Sequence, residues 1–540
     1  MYLHFINQFI QSVFQTTSIY QIYPRSFYDS NGDGIGDIQG IIQKLDYIKD
    51  LGFETIWISP FYSSPQADFG YDISDYYNIA PEYGTMQDVE QLIDEVHRRD
   101  MKILFDMVMN HTSNQHHWFL ESKKDKTNPK ADWYIWRDKP NNWKSIVGPK
   151  GWQYCEERNQ YYFASFLPFQ PDLNYRNPAV KQAMFDVCRF WLQKKVDGFR
   201  LDIFNCIIKD AAFKDNPFSL LHIVPSEDFP GGNFQIRKYS LNQEENFELA
   251  KELRNVVDEF QPERILLGEV FGKNEVKKKY LGNNDGLHLI FLFDMLFFKF
   301  KAKFFQKKII EYNYHYPFPL VPTTVFSNHD QLRSIGRIGN NLAKAKLLAL
   351  LQFTLRGVPT VYYGEEIGMT NGKIPIKKGK DPIAETFRWV PQFIADMLPV
   401  GINRDNCRTP MQWNNGKNAG FSDGNETWLP LNTDVENRNV SQQKADKDSL
   451  LNVFKSVIHL RKNNAALHAG NIEIVSVYNP NILAFTRSYE KETLLVLLNF
   501  SNKKIKIELN QTIKQILFSI KNKASFNGFL DGYNGVVLKL

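Results

Sequence analysis

Short apolar runs, rich in β-branched and aromatic residues, recur along most of the chain, and helical patterns lie between most of them. Eight of these runs predict strands, near residues 18–24, 54–59, 102–108, 198–202, 264–269, 287–293, 321–327 and 357–363. The clearest helix follows Asn177 and Pro178, a polar cap and a proline at the first helical position, and its apolar residues recur at helical spacing. Strand–helix alternation repeated eight times predicts an α/β fold of the (β/α)8 TIM barrel type.

Three stretches depart from this alternation. Residues 109–175, rich in Trp, Asn, Lys and Pro, predict a lobe inserted after the third strand, and residues 371–440 form a long irregular segment after the eighth. A helix near 448–462 would close the barrel, and short strands from about residue 470 predict a small antiparallel domain. We therefore expect a catalytic barrel of residues 1–108 and 176–465, an inserted lobe of residues 109–175 and a C-terminal β domain of residues 466–540.

Composition narrows the functional classes. The net charge of +5 comes from 65 basic and 60 acidic side chains scattered over 540 residues, without a basic stripe or nucleic-acid motif, so we expect no nucleic-acid partner. No uncharged apolar run is long enough for a membrane span, and the N-terminal segment lacks the basic lead and cleavage site of a signal peptide. The four cysteines lack paired CxxC spacing, which indicates neither a zinc site nor a disulfide framework. A cytoplasmic location is the simplest expectation.

Three of the apolar runs lead to a carboxylate. Asp202 and Glu269 are the last residues of the fourth and fifth predicted strands, and Asp330 follows the seventh. A carboxylate at the end of a buried strand is costly unless it is used. Because the carboxyl ends of barrel strands form one face, we expect these three side chains to share a pocket.

The residues beside two of these carboxylates suggest different protonation states. Side chains alternate along the fourth strand, so Phe199 and Leu201 share the face that would pack against the outer helices, and Arg200 and Asp202 share the face that would point into the barrel mouth. There the arginine would keep the aspartate ionised, as a nucleophile requires. Glu269 ends an apolar run, where desolvation favours the protonated form that a general acid requires. One charged and one neutral carboxylate is the pairing used in glycoside hydrolysis. For any single strand end, a structural salt bridge is an equally good interpretation.

Longer motifs carry a specific resemblance. Residues 106–111 (DMVMNH), 198–202 (GFRLD), 268–270 (GEV) and 328–330 (NHD) resemble, in order, the four signature regions of the α-amylase family, glycoside hydrolase family 13. Further segments resemble the α-glucosidase and oligo-1,6-glucosidase branch: residues 20–27 (YQIYPRSF), 69–76 (FGYDISDY), 170–174 (QPDLN) and 408–413 (RTPMQW). The resemblance covers about residues 18–465.

The resemblance implies a role for each carboxylate. Asp202 would be the nucleophile that forms a β-glucosyl-enzyme intermediate, Glu269 the general acid/base, and Asp330 the stabiliser of an oxocarbenium-like transition state. Such a mechanism retains configuration and places the first two carboxylates about 5–5.5 Å apart. No organic cofactor is expected.

The resemblance also implies the residues that hold the terminal glucose. Without the motifs, the histidines and aromatic residues of this set would be interpreted as structural. The set comprises Arg200, which would orient the nucleophile; His111 and His329, which would hydrogen-bond glucose hydroxyls; Asp68 and Arg408, which would clamp the non-reducing end; Tyr71, which would stack beneath the sugar; and Phe166, the pocket phenylalanine.

Residues 29–37 (DSNGDGIGD) place oxygen-bearing side chains at alternate positions on a glycine-rich turn, a spacing that suits calcium. The segment resembles the start of an EF-hand loop, but Gly40 stands where the bidentate glutamate would be. In the α-glucosidase branch this loop binds a structural calcium or magnesium ion. The resemblance implies that the ligands are Asp29, Asn31, Asp33, Asp37 and the backbone carbonyl of Ile35. An Asx-turn loop without metal is the alternative.

The leading hypothesis is a retaining, exo-acting α-glucosidase, monomeric or dimeric, that releases terminal glucose from disaccharides or short oligosaccharides. A transglucosylase or sucrose isomerase could use the same site with a sugar hydroxyl in place of water. Ile203, just after the nucleophile, resembles the residue of α-1,6-preferring enzymes, but one position leaves the linkage open. A non-catalytic transporter accessory subunit has the same barrel, but it requires a membrane span, and such subunits have usually lost the carboxylates.

Overall fold

The computed structural model describes residues 16–148, 150–222, 231–397, 401–509, 511–521 and 526–540. Residues 1–15 lie outside these ranges. They begin the predicted barrel domain and make up most of the segment considered as a signal peptide. No helix within the described ranges is long and apolar enough to cross a membrane. All four cysteines are buried and unpaired.

Eight parallel strands form a nearly closed barrel, which confirms the predicted fold. Their order in the sheet is β6-β5-β4-β3-β2-β1-β8-β7, so consecutive strands pair and β1 pairs with β8. The exception is β6 and β7, which are joined by a side-chain hydrogen bond from Thr323 Oγ1 to Ile290 O at 2.9 Å rather than by strand pairing. The strands are β1 Ile19–Ile22, β2 Thr55–Ile58, β3 Lys102–Met107, β4 Gly198–Leu201, β5 Ile265–Gly268, β6 Leu289–Ile290, β7 Thr323–Val325 and β8 Val358–Tyr362.

Helices surround the barrel, and sequence signals account for their ends. The helix Pro178–Gln193 begins where predicted, and the Asn177 side chain accepts a hydrogen bond from the backbone N–H of Ala179. The helix Leu450–Lys462 closes the barrel, with Ser449 as its cap. The other long helices are Met86–Arg98, Glu244–Asp258, Asn274–Leu281, Ala302–His315 and Leu342–Thr354.

Alternation along the strands separates two layers of the core. Phe199 and Leu201 of β4 belong to the large cluster packed between strands and helices, as the sequence predicts. Ile265 and Leu267 of β5 instead belong to a smaller cluster inside the barrel, with Trp57 of β2. Arg200 therefore lies on the interior side, where its charge must be met by other barrel residues.

The predicted lobe and the C-terminal segment each carry an antiparallel sheet. The lobe sheet has three strands: Trp136–Arg137, Trp152–Cys155 and Gln160–Phe163. The C-terminal sheet has five: Asn471–Ile474, Ile482–Tyr489, Glu492–Asn499, Gln515–Ser519 and Gly535–Lys539. Both sheets lie outside the barrel wall, which leaves the strand ends to form the site.

We expect Asn177→Ala to lower the free energy of unfolding by about 1 kcal/mol, because the cap that satisfies the first turn of the helix is lost. Asn177→Ser retains an oxygen acceptor and serves as the control. Urea unfolding of the two variants and the wild type measures the difference. Equal losses in both variants would contradict the role of the cap.

Candidate active site

Three carboxylates follow the carboxyl ends of barrel strands. The parallel pairing of β4 and β5 continues past the last strand residues, because Glu269 N donates to Leu201 O at 2.9 Å. On the other side of β4, Asp202 N donates to Met107 O at 3.1 Å. Asp202 and Glu269 are therefore adjacent at the mouth of the barrel, and both are largely buried. Asp330 lies on the loop after β7 and is partly exposed.

Arg200 joins the carboxylates of three neighbouring strands. Its Nη1 lies 2.8 Å from Asp106 Oδ1 and 2.8 Å from Asp202 Oδ1, and its Nη2 donates to Glu269 Oε2. From the sequence, Asp106 is indicated only as part of the first signature region, residues 106–111. The signal that could have found it is alternation along β3, because Asp106 is the register partner of Arg200 and shares its side of the sheet.

One buried cation cannot neutralise three carboxylates, so at least one of them holds a proton at neutral pH. Burial raises the pKa of Glu269 to about 8; Arg200 opposes this rise, and the charges of Asp202 and Asp330 add to it. Burial likewise raises the pKa of Asp106 to about 7, against the opposing charge of Arg200. Glu269 can therefore donate a proton at neutral pH.

His329 and Tyr71 connect the site through hydrogen bonds. Burial lowers the pKa of His329, which keeps the ring neutral. Its Nδ1 lies 2.8 Å from the Gln21 amide nitrogen and therefore accepts, which leaves its proton on Nε2. This Nε2 is 2.6 Å from the Tyr71 hydroxyl, which donates to Asp106 Oδ2 at 3.0 Å. The two rings are stacked, with centroids 5.3 Å apart.

Two arginines hold Asp330 in its ionised form. Arg404 Nη1 and Arg408 Nη2 each lie 3.2 Å from Asp330 Oδ1, and His329 Nε2 lies 3.1 Å from Oδ2. Burial opposes ionisation, but His329, Arg404 and Arg408 outweigh it and hold the pKa of Asp330 below its usual range. The pocket therefore presents a fixed negative charge beside the Asp202–Glu269 pair.

Asp68 and Arg408, the two residues of the predicted clamp, pair with different residues. Asp68 Oδ1 pairs with Arg404 Nη2 at 2.6 Å, whereas Arg408 contacts Asp330 and donates from Nε to His329 O at 2.8 Å. Arg404 begins the short 3₁₀ turn Arg404–Cys407 and Arg408 directly follows it, and the sequence contains no signal that decides which of them reaches Asp68. Arg404 is thus a site residue that sequence analysis missed.

The remaining predicted residues lie around the same pocket. His111 is buried, and its Nε2 donates to the backbone carbonyl of Tyr71 at 3.2 Å. Phe166 is half-buried, and the Arg404 guanidinium lies 6.0 Å from its ring centroid. The structure therefore brings the three predicted catalytic carboxylates and the predicted substrate residues into one cluster.

The predicted metal loop is folded by Asx turns. Asp29 Oδ1 accepts from Gly32 N at 2.7 Å, Asn31 Oδ1 from Asp33 N at 2.9 Å, and Asp33 Oδ1 from Ile35 N at 2.8 Å. Asp37 Oδ1 accepts from Gly40 N at 2.6 Å and caps the helix Ile38–Gln43. Within the described part of the chain, no group of three or more His, Cys, Asp or Glu is arranged to hold a metal. The ion therefore stays a prediction.

The raised pKa of Glu269 predicts a pH-dependent stability. The unfolded chain releases this proton near pH 4.5, whereas the folded chain keeps it to about pH 8. Between these values the folded state binds more protons, so its stability falls as the pH rises. We expect Glu269→Gln to remove part of that fall. Between about pH 5 and pH 8, the free energy of unfolding of the variant should rise relative to that of the wild type by on the order of a few kcal/mol.

Urea unfolding at these two pH values measures the effect, and the exposed Glu436→Gln variant is the matched control. If Glu269→Gln and Glu436→Gln showed the same pH dependence as the wild type, the carboxyl of Glu269 would have an ordinary pKa.

Comparisons with known proteins agree with the geometry. A family model described as the alpha amylase catalytic domain matches residues 21–470, and one for the maltogenic amylase C-terminal domain matches residues 472–526. A probable alpha-glucosidase of Rhizobium meliloti (strain 1021) is 39% identical over 510 residues, which cover 91% of this chain and 90% of that protein. An oligo-1,6-glucosidase of Bacillus cereus is 36% identical over 568 aligned residues, which cover 97% and 98%.

A solved structure adds to this agreement. That of an alpha-glucosyl transfer enzyme has a TM-score of 0.86 and 35% sequence identity, and the match covers 97% of this chain and 99% of that one. The catalytic-domain model spans most of the sequence and contains every carboxylate of the site. The chain belongs to the α-amylase family of glycoside hydrolases.

Proposed function

We propose that this protein is a retaining, exo-acting α-glucosidase that releases terminal α-linked glucose from short α-glucosides. The observation that carries the proposal is the pairing of Asp202 and Glu269 at adjacent strand ends on one arginine. Burial keeps Glu269 protonated at neutral pH, while Asp202 retains the direct contact with Arg200. The names of the relatives from Rhizobium meliloti and Bacillus cereus support the substrate class.

The reaction proceeds in two balanced steps. Asp202 attacks the anomeric carbon while Glu269 donates its proton to the glycosidic oxygen, so the glycosidic bond breaks and a β-glucosyl ester forms. Glu269, now a carboxylate, then takes a proton from water as the water oxygen attacks the same carbon. The ester bond breaks, Asp202 regains its electron pair, and glucose leaves with its α configuration retained.

Asp330 and its arginines support the transition state. Positive charge develops on the sugar ring as the glycosidic bond breaks, and a carboxylate that stays ionised stabilises that charge. Neutral His329 directs its Nε2 proton to the Tyr71 hydroxyl at 2.6 Å, and the same nitrogen lies 3.1 Å from Asp330 Oδ2.

The exo mode follows from the Asp68–Arg404 pair. Both side chains are buried, and Gln170 Nε2 donates to the other oxygen of Asp68 at 3.0 Å. A fixed ion pair that binds the terminal hydroxyls of glucose leaves no room for a chain extended at that end. The clamp therefore consists of Asp68 and Arg404.

A second candidate function is glucosyl transfer, which the similar alpha-glucosyl transfer enzyme favours. The first step would be unchanged, and a sugar hydroxyl would replace water in the second. Sucrose isomerisation is the same transfer with the leaving sugar itself as the acceptor. Product analysis at high sugar concentration separates hydrolysis from both.

Ile203 is proposed to influence linkage preference. It has φ of 32°, a left-handed conformation that is rare for a β-branched residue, and its side chain is buried beside Cys206 and Leu241. Backbone strain of this kind persists only where the surroundings enforce it. Ile203 directly follows the proposed nucleophile, so the size of its side chain affects where the leaving group lies.

We expect Asp202→Asn to lose several orders of magnitude in kcat on every substrate that the wild type cleaves, because an amide cannot attack the anomeric carbon. The panel is maltose, isomaltose, sucrose, trehalose and p-nitrophenyl α-glucoside, and its profile also reports linkage. Asp258→Asn, on an exposed helix surface, is the control.

Azide, as an external nucleophile, tests the role of Asp202 more directly. With Asp202→Gly and an activated α-glucoside, azide should attack from the side that the nucleophile vacated and give the β-glucosyl azide. Formation of the α-azide instead, or near-normal turnover by Asp202→Asn, would remove Asp202 from the nucleophile role. Long soluble starch cleaved faster than maltose and isomaltose would contradict the exo mode.

We also propose that residues 29–37 hold a structural calcium or magnesium ion through Asp29, Asn31, Asp33, Asp37 and the carbonyl of Ile35. The alternate oxygen positions, and the turns made by Gly32 and Gly34 at positive φ, support a hard cation. The ion would fasten this loop to the segment around Ser422, whose hydroxyl donates to Asp29 at 2.5 Å, and would take no part in catalysis.

We also propose a cytoplasmic location, which the unpaired cysteines support.

We expect calcium to raise the thermal unfolding midpoint of the chelator-treated protein, because an ion bound only by the folded state stabilises it. Asp33→Ala should abolish that gain, while the surface variant Asp446→Asn keeps it. Equal calcium responses in Asp33→Ala and the wild type would place the ion elsewhere.

A further inference from the structure

Asp381 is a buried carboxylate in the irregular segment after β8, and the mechanism above does not use it. Its Oδ1 accepts from Arg404 Nε at 3.0 Å and from Arg404 Nη2 at 2.7 Å, and its Oδ2 accepts from Arg404 N at 2.7 Å. Its backbone N–H donates to Asp405 Oδ2 at 3.2 Å, and its side chain caps the helix Pro382–Thr386. Asp381 is thus fixed in place by groups of its own segment.

This arrangement determines which way the guanidinium of Arg404 faces. A guanidinium is planar, and a carboxylate on its Nε and Nη2 edge fixes that plane. The free directions of Nη2 and Nη1 then point to Asp68 Oδ1 at 2.6 Å and Asp330 Oδ1 at 3.2 Å. Without Asp381, a long flexible side chain would have to hold both contacts by itself.

Charge points to the same conclusion. Burial opposes ionisation of Asp381, but Arg404 outweighs it and lowers the pKa of Asp381, so the carboxylate is charged at neutral pH. Asp381 therefore balances Arg404 independently of Asp68. The Asp68 carboxylate retains acceptor capacity for a hydroxyl, because it does not have to neutralise the arginine alone.

We propose that Asp381 is a positioning residue that orients Arg404, and that through Arg404 it sets the selectivity of the pocket for the 4-hydroxyl of the terminal glucose. It touches neither Asp202 nor Glu269 in the described contacts. The proposal rests on the α-glucosidase function proposed above and on the Asp68–Arg404 clamp.

The test compares p-nitrophenyl α-glucoside with its 4-deoxy analogue. We expect the wild type to prefer the 4-hydroxy substrate in kcat/KM, and Asp381→Asn to lose about tenfold to a hundredfold on that substrate but much less on the analogue. The amide conserves volume but removes the charge and presents a donor to the donors of Arg404.

The matched control is Glu385→Gln, which removes an exposed carboxylate of the short helix that Asp381 caps. It should keep the preference for the 4-hydroxyl. Equal losses on both substrates in Asp381→Asn would overturn the proposal, since a merely structural residue cannot distinguish them.

A double-mutant cycle guards against a variant that folds poorly. If Asp381 acts through Arg404, Asp381→Asn should cost little in an Arg404→Lys background, and additive losses would overturn the proposal. A wild type that turns over α-glucosides without distinguishing the analogue would refute the clamp alone. A wild type with no α-glucosidase activity would refute the proposed function itself.

Discussion

The guanidinium of Arg200 is the interaction on which the rest of the site depends. It is fully buried inside the barrel, and it contacts the carboxylates of Asp106 in β3 and of Asp202 and Glu269 at the ends of β4 and β5. Without it, three negative charges would meet in a region of low dielectric constant, which would cost far more than the fold can supply. With it, the charge is still not balanced, and burial together with the remaining negative charge keeps a proton on Glu269.

The second half of the site comes from outside the barrel wall. Segment 371–440 has little regular structure, yet it delivers Asp381, Arg404 and Arg408 to the loop that carries Asp330. These arginines keep Asp330 ionised while Arg200 leaves Glu269 protonated. Asp330 and Glu269 thus have opposite charge states in one pocket, because arginines from different parts of the chain contact them.

Much of the fold could be predicted from the sequence, because its signals are local. Alternation along each strand placed Arg200 inside and Phe199 outside, and Asn177 with Pro178 predicted where a long helix begins. The strand ends also indicated which carboxylates would meet, since parallel strands in consecutive order bring their carboxyl ends to one face. Asp106 could have been found by the same reasoning applied to β3.

The sequence by itself determined the barrel, its strand ends and the carboxylates Asp202 and Glu269, because these depend on a period of two residues and on neighbouring strands. Only the tertiary structure decided that Arg404 rather than Arg408 meets Asp68, a contact between residues 336 positions apart. It also decided that Asp381 orients Arg404. The physical reason is that side chains of an irregular segment follow no regular period, so the sequence does not show which way they point. Their contacts depend on how the segment packs against the rest of the molecule.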